Sequence, residues 1–267
     1  MTVGIADWGI GGLGFCKALK NSRPDVEIVY LADQGYEMYD FLSREDLINR
    51  VGLLTQTFRD LGVKRVIMAC DSASTVLNEI DTSGMKVTGI IAPVLRAMQQ
   101  KHFREVGVIG ERRTILSGAY GRALRKLRFM VVQRMSTDLA LTIEAGREHT
   151  TATAEMIQEL LEPICKIDCL LLASTQYSLV ADAFQSILPA AEIVEPYREA
   201  LRELLLELPA PEQTPRPSAF YTTGTPREMA IRAGQAFGMS IDVEAISIGD
   251  PGVALKSCQN SVNAHLL

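Results

Sequence analysis

The sequence predicts an α/β protein built from two similar, doubly wound parallel sheets. Three observations carry that reading. Short apolar, β-branched runs that end in turn residues recur along the chain, stretches of helical period lie between most of them, and one strand-to-helix junction is repeated in the second half.

The first run is Val3 to Ala6, and Gly9-Ile10-Gly11-Gly12-Leu13-Gly14 follows it and opens a helix. This matches G-x-G-x-x-G, and Asp33 lies about 20 residues further on, after the second run Ile28 to Ala32, as a dinucleotide site requires. Against that use stands Asp7, whose carboxylate would sit beside a pyrophosphate and repel it. Trp8 is also bulky for a turn that must be slim. The glycines are therefore read as tight strand-to-helix packing.

Arg44 to Leu61 has helical period. The next run, Val66 to Ala69, empties into Cys70-Asp71-Ser72-Ala73-Ser74, as a buried parallel strand empties into a helix. Ligands bind at this edge of open α/β sheets, and a helix N-terminus favours a thiolate. The plain alternative is a cysteine that only fills core space. Further strands are expected at Val87 to Ile91, Val106 to Ile109, Met130 to Val132, Leu170 to Ala173 and Ile193 to Val194, with helices over Ser117 to Leu127 and Thr151 to Pro163. Leu170 to Ala173 leads into Ser174-Thr175-Gln176-Tyr177-Ser178, the same layout as the Cys70 junction. If the two halves face each other, Cys70 and Ser174 look across a cleft. Pro209 to Pro217 reads as a linker, Pro226 to Phe237 as a helix and the tail from Lys256 as disordered.

With 267 residues and 47% hydrophobic content the chain supports a large core. No run approaches the ~18 apolar residues of a membrane span, and the start lacks the pattern of a signal peptide, so the expectation is a cytoplasmic protein away from membranes. A net charge of −5 argues against a nucleic-acid groove, and the basic run Arg122 to Arg128 reads as a solvated helix face. Five cysteines, Cys16, Cys70, Cys165, Cys169 and Cys258, show neither disulfide nor zinc spacing.

Several ordered stretches resemble the cofactor-independent aspartate/glutamate racemases, glutamate racemase above all. Ile5-Ala6-Asp7-Trp8-Gly9-Ile10-Gly11-Gly12-Leu13 is similar to that family's FDSGIGGL, Ala69 to Ser74 to its ACNTAS, and Val108 through Thr114, Ser117 and Tyr120 to VIGTxxTxxSxxY. Ile143-Glu144-Ala145-Gly146 resembles VESG, Leu172 to Ser178 resembles LGCTHYP, and Phe220 to Gly224 resembles FFTTG. The resemblance implies two α/β domains, residues 1–92 plus 210–267 and residues 93–209, with the active site in the cleft between them. It also implies proton transfer at an amino-acid α-carbon between two cysteines, without metal or cofactor.

The chain departs from that pattern on one side of the site. Cys70 holds the first cysteine position, but Ser174 holds the second, and Gln176 stands for the histidine expected to assist it. A hydroxyl is a far weaker acid than a thiol, and an amide does not titrate. Trp8 replaces a small serine, Asp71 replaces an asparagine, and Met38-Tyr39-Asp40 replaces the turn that receives a distal carboxylate. The added negative charge predicts a neutral or cationic small molecule, with a basic group meeting Asp71 or Asp40, rather than a dicarboxylate. The expected site then has Cys70, Ser174 and Asp7 as catalytic residues. Trp8, Asp33, Tyr39, Asp71, Ser72, Thr114, Glu144, Thr175 and Gln176 are the expected substrate contacts. The function expected is that of an isomerase using Cys70 at the α-carbon of a small amino acid or related acid. A one-cysteine decarboxylase or lyase, a non-catalytic ligand-binding or regulatory protein on the same scaffold, and a homodimer all stay open.

Overall fold

A computed structural model of the chain describes residues 1–164 and 166–249. The expected disordered tail, Cys165 and Cys258 lie outside the described residues. Two parallel sheets carry the fold. The first contains β1 (Thr2–Asp7), β2 (Glu27–Ala32), β3 (Arg65–Met68), β4 (Lys86–Gly89), β9 (Ser218–Thr222) and β10 (Val243–Ala245), in the order β10-β9-β2-β1-β3-β4. The second contains β5 (Glu105–Gly110), β6 (Met130–Met135), β7 (Cys169–Ala173) and β8 (Glu192–Val194), in the order β6-β5-β7-β8. All described pairings are parallel. The second sheet repeats the inner order of the first, with β5 in the place of β1 and β7 in the place of β3. That repetition accounts for the echoed junctions: Cys70 and Ser174 follow equivalent strands.

Helices cover both faces of each sheet, so central strands are apolar on both sides. One face of the first sheet packs on α1 (Leu13–Ser22), α10 (Pro196–Glu207) and α11 (Pro226–Phe237), which bring Leu13, Phe15, Tyr197, Leu201, Met229 and Phe237 to a core with Val3, Ile5, Ile28 and Tyr30. The other face packs on α2 (Arg44–Asp60) through Leu47, Val51, Leu54 and Phe58. Ser43 starts α2 by accepting from the Asp46 amide at 3.1 Å, a cap that satisfies one of the orphan donors of a helix start. In the second sheet, α4 (Ile91–Met98) and α6 (Ala119–Lys126) lie on one face, and α7 (Thr137–Glu144), α8 (Thr151–Leu161) and α9 (Ala181–Ile187) on the other. The exposed Arg122, Arg125, Lys126 and Arg128 form the solvated face expected of the basic run.

Two expectations about elements are corrected. The strand expected to run to Ile91 ends at Gly89, and Ile91 starts α4. The helix expected over Ser117 to Leu127 is two helices, α5 (Arg112–Ser117) and α6, because Gly118 takes a left-handed conformation (φ 67°) between them. Beyond the helix at Pro226–Phe237, the short strand β10 pairs with β9 at the sheet edge. Among the described residues, no helix is long and apolar enough to cross a membrane.

Candidate active site

The carboxyl ends of the two sheets meet, and the side chains there form one connected cluster. Cys70 stands at the end of β3, ahead of α3 (Asp71–Ser74), and is 7% exposed. Asp7 closes β1 beside it: its carboxylate accepts from the Trp8 amide at 2.7 Å, the Gly12 amide at 2.6 Å and the Thr175 hydroxyl at 2.8 Å, and lies within hydrogen-bonding reach of the Cys70 thiol. The protein's own carboxylate thus fills the turn where a dinucleotide phosphate would sit.

The glycines serve contact between the halves. A Cβ on Gly9 would come within 2.6 Å of a Glu144 oxygen and 2.7 Å of Gln176, and one on Gly11 would collide with Thr175. Glu144, the last residue of α7, accepts from the Ile10 amide at 3.2 Å, from Gln34 at 2.5 Å and from Gln176 at 2.5 Å. Glu144 and Thr175 therefore bind the second half to the first across the glycine turn.

Asp71 is buried, with Oδ1 accepting from the Tyr120 hydroxyl at 2.6 Å and Oδ2 without a hydrogen-bond partner among the described residues. Oε1 of buried Gln176 is likewise without one. The hydroxyls of Ser72 and Thr114 lie 3.2 Å apart. Ser174 directly follows β7 and donates to Glu111 Oε1 at 2.6 Å. Trp8 is partly buried between the cores of both halves, and its indole N–H donates to the Tyr36 carbonyl at 3.2 Å. A cavity of ≈ 610 Å³ opens beside it, lined by Trp8, Gln34, Glu144, Glu228 and Arg232 among others.

Asp33, Tyr39 and Asp40 are committed to the scaffold. Asp33 is fully buried, receives Arg50 on both oxygens at 2.8 and 2.5 Å, and also accepts from Tyr39 at 2.7 Å and Thr223 at 2.9 Å. Asp40 accepts from the amides of Arg112 and Arg113, each at 2.9 Å, and from Thr137. Asp40 thus caps α5, and the charge expected to meet a ligand's basic group is held by a helix start instead.

Burial governs the titration of the cluster. It pushes Asp7 up to about 6, against the donors Thr175, Trp8 and Gly12, and Asp71 up to about 7, against the Tyr120 hydroxyl. Glu144 is pushed up to about 7 by burial, opposed chiefly by Gln34. Glu111 rises well above the usual carboxyl value through burial and then the charge of Asp40. The Cys70 thiol is held well above its usual value by burial and then by Asp7 and Glu111. The group that sequence reasoning missed is Glu111. Its one signal is a carboxylate directly after the Val108-Ile109-Gly110 strand, where the resembling motif has threonine.

Comparison with known proteins agrees with this geometry. The pattern described as Asp/Glu/Hydantoin racemase matches residues 24–204. A glutamate racemase of Picosynechococcus sp. is 32% identical over 257 residues, covering 92% of each chain. One of Microcystis aeruginosa is 31% identical, covering 91% of this chain and 90% of its own. Among solved structures, a glutamate racemase isoform of Bacillus anthracis superposes with a TM-score of 0.83 at 25% identity, covering 92% of this chain and 97% of its own.

Proposed function

This chain belongs to the Asp/Glu/Hydantoin racemase family, and from that premise we propose that it moves a proton at the α-carbon of an amino acid with a neutral or cationic side chain, using Cys70 as base. The observation that carries the reading is Cys70 at the end of β3 with the Asp7 carboxylate against its thiol, facing the second half across a cluster of carboxyls.

The steps follow from those groups. Asp7, poised near 6, takes the thiol proton, and the Cys70 thiolate removes the α-proton. Of the Ser72 and Thr114 hydroxyls, one donates to the other, and the other keeps a proton for the substrate carboxylate. The buried acceptors without a partner, Asp71 Oδ2 and Gln176 Oε1, suit an ammonium group. A second carboxylate would add negative charge beside carboxyls that burial already presses toward their neutral form, a cost that a neutral or cationic side chain does not bring, which supports the choice against glutamate and aspartate. Trp8 favours a compact substrate.

The test is α-proton exchange in heavy water, followed by mass, over lysine, arginine, ornithine, alanine, serine, glutamate and aspartate. Exchange with a cationic or neutral amino acid that disappears in Cys70→Ala is the expected result. Fastest exchange with glutamate refutes the substrate class. No exchange across the panel favours the second reading, a ligand-binding protein without turnover, which the raised Cys70 thiol and the bulk of Trp8 support.

A further inference from the structure

We propose that Glu111, acting through the Ser174 hydroxyl, supplies the proton to the face of the α-carbon opposite Cys70. The inference rests on the Cys70 reading above and assigns the other half of the site.

The topology brings the pair together. Ser174 directly follows β7 and Glu111 directly follows β5, neighbouring strands paired through Gly110 and Ala173 at the sheet's switch point. The first half has the same construction, with Asp7 at the end of β1 beside Cys70 after β3. Each half thus presents one small nucleophile-like residue beside one carboxyl, with the carboxyl one register step further along in the second half. Ser174 is 2% exposed and donates to Glu111 at 2.6 Å. Glu111 is close enough to Cys70 for its charge to act on the thiol second only to Asp7 among charges. The two groups therefore share one reaction space.

The chemistry fits the substitution. A serine hydroxyl alone cannot donate at neutral pH, but one hydrogen-bonded to a protonated carboxyl can pass that proton on. The groups facing Glu111 are Asp40, Asp71, Asp7, Tyr177 and Cys70, and none of them is a cation that would favour its carboxylate form. In one direction the Cys70 thiolate breaks the α C–H bond and becomes a thiol, leaving a carbanion. For delivery the hydrogen bond between Ser174 and Glu111 reverses: protonated Glu111 donates to Ser174 Oγ and the Ser174 O–H turns from Glu111 to the α-carbon, where its proton forms the new C–H bond on the opposite face while the Glu111 proton moves to Ser174 Oγ, leaving Glu111 as carboxylate. The reverse direction starts from that carboxylate and returns the proton.

The test separates exchange from inversion. With one enantiomer of the amino acid that exchanges fastest in the panel above, deuterium uptake reports Cys70, and optical rotation reports delivery to the second face. Glu111→Gln and Glu111→Thr are expected to lower inversion at least 100-fold more than they lower exchange, and to remove one limb of the pH profile of inversion. Ser174→Ala is expected to do the same with Glu111 intact, and adding Ser174→Cys to Glu111→Gln is expected to recover inversion at least tenfold, because a thiol carries its own proton. Thermal melts confirm that each variant is folded, and Ser174→Ala keeps the test if Glu111→Gln is not. Equal losses of inversion and exchange, or no loss of either, overturn the role of Glu111 and leave that of Cys70 standing. Absence of Cys70-dependent exchange in the unmodified protein overturns both.

Discussion

Replacing Asp71 by asparagine is expected to stabilise the protein at high pH and not at low pH. Asp71 is 3% exposed and its carboxyl is raised from 3.8 to about 7 by burial. Between those values the folded protein keeps a proton that the unfolded chain has released. Stability is therefore fully present below the unfolded pKa and is lost as pH rises through the folded one. A shift of about three pH units at ~1.4 kcal/mol each gives ~4 kcal/mol of destabilisation above pH 8. For a chain of this length that is roughly 8 °C in melting temperature. The amide oxygen introduced by Asp71→Asn still accepts from Tyr120, so the bond at 2.6 Å survives. An amide left short of acceptors shifts stability by about 1–3 kcal/mol equally at every pH, and cancels when two pH values are compared. The assay is thermal melting of both proteins at pH 5 and pH 8.5 in one ionic strength. The melting difference between variant and parent is expected to rise in favour of the variant across that interval. A difference that is the same at both pH values refutes the argument that Asp71 is held protonated.

Two further outcomes follow from the same structure. Arg50→Ala leaves the fully buried Asp33 without its cation, and urea unfolding is expected to show a loss of about 3–5 kcal/mol, mostly regained in the Asp33→Asn, Arg50→Met double variant; a loss below ~1 kcal/mol would show that Tyr39 and Thr223 suffice to hold the carboxylate. Asp7→Asn removes the carboxylate that takes the Cys70 thiol proton, so α-proton exchange in heavy water is expected to fall about 100-fold while the thermal melt shows the variant folded, and unchanged exchange would sink Asp7 as the acceptor.

Much of the fold was legible because burial on both faces writes central strands as continuous apolar runs. Val3 to Ala6, Ile28 to Ala32 and Leu170 to Ala173 all lie inside observed strands. The helix at Pro226–Phe237 announces both ends, with Pro at its start and Gly238 in the left-handed conformation after it. Gly118 was silent, since a glycine within a periodic stretch does not say whether the helix passes through it or breaks there. The strand Val243–Ala245 has no buried face, so no hydrophobic pattern marks it. In the candidate site, Cys70 and Ser174 were legible as repeated strand ends. Glu111 was not, because an acid beside a helix start is also an ordinary helix-terminal charge.

The sequence alone determined the two-fold repetition of strand, small residue and polar helix start, because such patterns are local and follow from backbone periodicity. Only the tertiary structure decided how the carboxylates are used. Asp33 and Asp40 are taken by Arg50 and by the amides of α5. Asp7, Asp71, Glu111 and Glu144 are gathered into one buried cluster where desolvation pushes each carboxyl upward. A charge's meaning depends on which groups from distant parts of the chain surround it and on how much water they exclude. Neither quantity exists until the two sheets meet.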